Sequence, residues 1–123
     1  MEIVDTANPE HATALAKIRA FLQCPGSCRP TGRVKEDLIR LKLSKGEVLD
    51  GALRHIDAGS AIHCQMQTMY FDTPQLGYVI FPLIVGTVAL YFKVVLPPLD
   101  EAEKPYLLVL AAHESKPQVS RGV

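Results

Sequence analysis

The chain has 123 residues, 48% hydrophobic and 21% charged, with thirteen basic side chains balanced by thirteen acidic ones. That length fits one domain able to bury a core without disulfides or metals. Net zero charge and a pI near 6.9 set it apart from the strongly basic chains that neutralise nucleic-acid phosphates over a whole surface, so any RNA contact here needs a local patch.

The N-terminus, Met1-Glu-Ile-Val-Asp-Thr-Ala-Asn-Pro-Glu, starts acidic and has no apolar h-region, so no secretory leader is expected. Asn8-Pro9-Glu10 then carries the marks of a helix start: a capping Asn, Pro in the first turn and an early acid. Ala14, Leu15, Ile18, Phe21 and Leu22 recur at helical spacing, giving a first helix of about fourteen residues. Cys24 to Gly32 holds two Pro and two Gly in nine residues and is expected to be a loop. Val34, Leu38, Ile39 and Leu41 mark a short second helix over about residues 33–42. Ser44-Lys-Gly-Glu47 fits a capping box, and Val48, Leu49, Ala52, Leu53 and Ile56 follow on one face until Gly59 stops the third helix.

From Ala61 the period changes to two. Ile62, Cys64, Met66, Thr68 and Tyr70 alternate with His63, Gln65, Gln67, Met69 and Phe71, and Asp72-Thr-Pro-Gln75 makes a turn. Tyr78 to Val85 is a second strand that Pro82 makes either an edge strand or a bulged one. Gly86-Thr87 precedes a third strand, with Val88, Leu90, Phe92, Val94 and Leu96 on one face and Ala89, Tyr91, Lys93 and Val95 on the other. Tyr106 to Glu114 is the last strand, reached through a loop, Pro97 to Pro105, whose acidic residues are expected in solvent. The tail from Lys116 has no pattern and is expected to be disordered. The longest apolar run, Tyr78 to Phe92, is broken by Pro82 and Gly86 and is too short to span a bilayer.

The expectation is one α+β domain over 1–123, its N-terminal helices packed on one face of a mainly antiparallel sheet of about four strands. Residues 1–32 form a helix-and-loop extension, 33–115 the core and 116–123 the tail. Leu49, Leu53, Ile56, Leu90, Phe92 and Val94 are the expected core residues.

If the helices cover the apolar side, His63, Gln65 and Gln67 line up with Tyr91 and Lys93 on the open side, with His113 at a strand end. Phenol, ammonium and imidazole on one small sheet are suited to phosphodiester chemistry without a metal. A 2′-hydroxyl attacks the neighbouring phosphorus while one group removes its proton, another protonates the leaving oxygen and the cation compensates charge. The alternative is the ordinary polar outside of an antiparallel sheet. Cys24, Cys28, Cys64 and His63 are a poor zinc set, because the three-residue spacing within the Cys24–Cys28 pair is unusual and no second pair exists. No metal or other cofactor is expected. An odd number of cysteines also argues against a secreted disulfide framework and for a reducing cytoplasm.

Residues 33–115 resemble the MqsR-type toxins, small RelE/ParE-like ribonucleases of type II toxin–antitoxin systems. The resemblance rests on Leu90-Tyr91-Phe92-Lys93-Val94 after the Gly86-Thr87 turn, on the Gln75-x-x-Tyr78 spacing before it, and on the strand ending Ala112-His113-Glu114. It implies a RelE/MqsR-like fold and metal-independent cleavage of messenger RNA in the cytoplasm, held in check by a cognate antitoxin protein. The family's Lys, Gln and Tyr active-site positions fall on Gln67, Gln75 and Tyr91. Gln67 departs from the family's lysine, leaving Lys93 and His113 to supply the missing charge and proton exchange. His63, Gln65 and Tyr78 are expected to contact substrate. A function of another class stays open beside this one: a non-catalytic α+β module that holds a protein partner through its sheet.

Overall fold

A computed structural model of the chain describes residues 1–69, 71–99 and 103–115. Among these residues three α-helices and six strands follow in the order β1 (Glu2–Ile3), α1 (Pro9–Leu22), β2 (Cys28–Pro30), α2 (Gly32–Leu41), α3 (Lys45–Asp57), β3 (His63–Gln67), β4 (Gln75–Val85), β5 (Val88–Val95) and β6 (Leu107–Glu114). Each helix begins on a residue whose side chain satisfies an otherwise unpaired amide. Asn8 Oδ1 accepts from the Glu10 amide at 2.9 Å, and Thr31 Oγ1 accepts from Val34 at 3.3 Å. At α3 the capping box is complete: Ser44 Oγ takes the Glu47 amide at 3.1 Å, and Glu47 Oε1 takes the Ser44 amide at 3.0 Å.

The sheet order is β1-β3-β4-β5-β6-β2. β3 to β6 form an antiparallel meander, β1 adds antiparallel to β3, and β2 adds parallel to β6. The sheet thus has six strands, not about four. The stretch expected to be a loop contains a 3-10 turn, Pro25–Ser27, and then β2. Cys28 anchors this strand: its side chain is buried and its Sγ meets the Phe21 carbonyl at 3.2 Å. Pro30 is tolerated because β2 is an edge, where a missing N–H leaves no ladder bond unmade.

Pro82 lies in β4, which is an interior strand and not an edge. The sheet absorbs it as a bulge: Ile80 pairs with Phe92 and Leu83 with Leu90, so Phe81 and Pro82 together stand opposite Tyr91, one residue more than the ladder needs. β3 ends at Gln67, earlier than the alternation suggested. The expectations for Tyr70, for Asp100 to Ala102 and for the tail beyond 115 lie outside the described residues.

One face of the sheet carries the core. Leu90, Phe92 and Val94 of β5 are buried there with Ile80 and Leu83 of β4, under Ile18 and Leu22 of α1, Val34 and Leu38 of α2, and Val48, Leu49 and Ala52 of α3. Leu53 and Ile56 pack against this cluster while half-buried. α3 comes close to β4 at Gly51, where a Cβ would stand 3.3 Å from Val85 Cγ2. Arg19 clamps α1 to α3 through two bonds to Asp57, at 2.6 and 3.2 Å. Among the described residues no helix is long and apolar enough to cross a membrane.

Candidate functional site

Strand alternation leaves the other face of the sheet to Gln65 and Gln67 of β3, Gln75, Gly77 and Val79 of β4, Tyr91, Lys93 and Val95 of β5, and His113 of β6. Register ties them together: Gln65 is opposite Gly77, Gln67 opposite Gln75, Val79 opposite Lys93, and Tyr91 opposite His113. The polar rows expected to meet do meet. Tyr91 Oη donates to Gln65 Oε1 at 3.2 Å, and Lys93 Nζ donates to Gln67 Oε1 at 2.7 Å. The Tyr91 and His113 rings are stacked, 5.2 Å apart and 12° from parallel.

Lys93 differs from its expected pose. It is on the open side, as expected, but does not stand exposed beside Tyr91. Only 7% of it is accessible, because its chain lies flat across Gly77 on the way to Gln67. A Cβ at Gly77 would fall 2.5 Å from Lys93 Cε, so only glycine leaves this path open. Burial pushes the Lys93 ammonium below the ordinary lysine pKa. Burial moves the Tyr91 phenol the other way, upward, so that at neutral pH it is a proton donor and not a base. The exposed imidazole on this face is that of His113, on the strand next to Tyr91.

The remaining expected site residues divide. Gln75 is at the rim, its amide donating to Thr73 O at 3.1 Å, and Gln67 also donates to Met69 O at 3.2 Å. Half-buried His63 lies at the far end of the β3 row, with its Nδ1 buried and lacking a hydrogen-bond partner among the described residues. Tyr78 is a correction. It is buried on the core side, opposite Cys64 and Val94, and its hydroxyl meets His11 Nδ1 at 2.9 Å. A residue three places from Gln75 in one strand points to the other face, so Tyr78 holds α1 to the sheet and cannot touch anything bound on the open side. His11, in the first turn of α1, is the other half of that tie, edge-on to the Tyr78 ring.

Three residues near the site were not singled out from the sequence. Arg33, Asp37 and Arg40 share one side of α2 and, with His113 and Glu114, wall a cleft of about 680 Å³. Their spacing of four and then three residues is the signal that would have found them. Arg40 Nη2 donates to Asp37 Oδ1 at 2.7 Å, and Asp37 is buried. Of the cysteines, Cys28 and Cys64 are buried and Cys24 is exposed, all three as thiols. Burial pushes the Cys28 thiol up to about 11 despite nearby Lys45, so it is a poor nucleophile.

The face therefore offers a phenol that donates, an imidazole stacked on it, an ammonium, and two amides, Gln65 and Gln67, that orient the phenol and the ammonium. No protein-family model, curated protein or solved structure matches the chain.

Proposed function

We propose that the open sheet face is the active face of a metal-independent endoribonuclease, acting as the toxin of a type II toxin–antitoxin pair in the cytoplasm. The observation that carries this is the Tyr91–His113 stack beside the bonded Gln65, Gln67 and Lys93 row, all on one side of one sheet. His113 removes the proton of an RNA 2′-hydroxyl, the resulting oxygen attacks the adjacent phosphorus, and Tyr91 protonates the departing 5′-oxygen. The step leaves a 2′,3′-cyclic phosphate on one fragment and a 5′-hydroxyl on the other. Lys93 supplies positive charge at Gln67, the position where the resembled toxins carry lysine, and so offsets the charge building on phosphorus. The cation reaches that place from the neighbouring strand.

The experiment is expression of the chain in bacteria together with cleavage of a messenger RNA by the purified protein. Growth arrest and cyclic-phosphate ends are expected, unaffected by a chelator. Tyr91→Phe or His113→Ala should each lower cleavage about 100- to 10,000-fold, the usual worth of an acid–base group, while the fold survives. A requirement for magnesium, or full activity in the double variant, would refute the mechanism. The second reading, a non-catalytic module that holds a protein partner, is favoured by the same Lys93: buried and bonded to Gln67 in a chain of zero net charge, it presents little cationic surface. Absence of any cleavage by folded protein selects that reading.

A further inference from the structure

The ring row on the open face does not stop at Tyr91. Phe81, on the open face by strand alternation and beside the β4 bulge, has its ring 5.8 Å from Tyr91 on the side away from β6. It is 42% exposed, so Phe81, Tyr91 and His113 form a line of three rings across β4, β5 and β6. Tyr91 is half-buried with one ring on each side, and the exposed rings are Phe81 at one end and His113 at the other. At the His113 end lies the cleft walled by Arg33, Asp37, Arg40 and Glu114. Its size is that of sites that hold small ligands, about 300–1,000 Å³. Within it Arg40 and Asp37 neutralise each other, Arg33 makes no ion pair among the described residues, and Glu114 opposes an anion.

We propose that a single strand of RNA crosses the strands on this face, with an unpaired base stacked on Phe81 and a backbone phosphate held by Arg33 beyond His113. The substrate class rests on the ribonuclease reading above; the subsites rest on the ring row and the cleft. Unpaired bases have free faces for a protein ring, whereas duplex bases are covered by one another, so a projecting phenylalanine selects single strands without selecting sequence. Guanidinium groups suit phosphate through parallel charge-assisted bonds. A cleft at one end and a stacking ring at the other place the scissile bond between them, over Tyr91 and His113.

The test is binding of a fluorescein-labelled single strand of about ten 2′-O-methyl nucleotides, followed by anisotropy. This probe lacks the attacking hydroxyl and survives a working ribonuclease. Phe81→Leu should weaken binding about tenfold, the loss of one base stack, while Phe81→Trp should retain it. Arg33→Ala should weaken binding and flatten the log–log salt dependence by about 0.7. Glu114→Gln should tighten it, a change of sign that no purely structural role predicts. Unchanged binding in Phe81→Leu, equal affinity for the matching duplex, or a neutral Glu114→Gln would overturn the proposal. No binding by the wild-type chain would also overturn it, and would give Phe81 and exposed Ile84 to a protein partner. Binding without cleavage of natural RNA supports these subsites and refutes the ribonuclease. Cleavage with unaltered KM in Phe81→Leu does the reverse.

Discussion

At the scale of single residues, the contact that decides the site is the passage of Lys93 over Gly77. Gly77→Ala puts a methyl where Lys93 Cε now lies. The side chain must leave Gln67, and overpacking of this kind costs about 1–3 kcal/mol. In a Lys93→Met background the flexible thioether yields more readily, so the same substitution should cost less, and urea midpoints of the four proteins measure that coupling. Lys93 also gives stability a pH signature. Its folded pKa is lowered by burial, so the unfolded chain binds its proton more tightly. Below both pKa values the buried ammonium opposes folding; as pH rises through the folded value towards about 10.4, the unfolded value, that penalty shrinks. Stability of the native chain relative to Lys93→Met should therefore climb over this alkaline window. Tyr91 and Tyr78, both raised by burial, pull the opposite way in both proteins and cancel in the difference. Phe92→Ala belongs here as well: Phe92 is 1% exposed at the centre of the core, and its truncation should lower unfolding free energy by about 3–5 kcal/mol.

At the scale of elements, α3 shows what a complete cap contributes. Ser44→Ala removes the acceptor for the Glu47 amide and should cost about 1 kcal/mol in denaturant unfolding at neutral pH. Hydrogen bonds to Ser44 hold the Glu47 carboxyl below its usual range, so its share of the cap is present at neutral pH. That share fades on acidification as pH falls through the folded Glu47 value. Caps of this kind made α1 and α3 legible, and apolar spacing alone marked α2; each signal depends on a few neighbouring residues. Alternation likewise placed Leu90, Phe92 and Val94 inside and put Gln65, Tyr91 and Lys93 on one outer face. β1 and β2 were not legible, because two or three residues hold no period, and their structure comes from partners far along the chain. Pro82 left an edge or a bulge open, and the structure has the bulge, a choice that depends on β5 opposite. Tyr78 went wrong for another reason: a motif spacing was given precedence over strand parity, which already set it apart from Gln75. The lean of Lys93 to Gln67 depends on Gly77, a contact across three strands that no local pattern contains.

For the whole molecule, sheet order settles where the thiols are. Cys64 is on β3 and Cys28 on β2, with β4, β5 and β6 between them, roughly 19 Å apart at about 4.8 Å per strand. Four zinc ligands need to converge within a few ångströms, and among the described residues no cluster of three suitable side chains does so. Purified protein should carry no stoichiometric zinc, and its melting temperature should be unchanged by a chelator; chelator-induced unfolding would disprove this, since structural zinc contributes directly to folding.

The parallel pairing of β2 with β6 sets a timetable for the nascent chain. Residues 28–30 leave the ribosome early but have no strand to join until residues 107–109 follow, and such late, distant pairings slow folding. The same last strand carries His113. A polypeptide still being translated, or one cut short before β6, therefore has neither its finished sheet nor the imidazole of its open face, and the ribonuclease proposed above would act only after synthesis has passed that point.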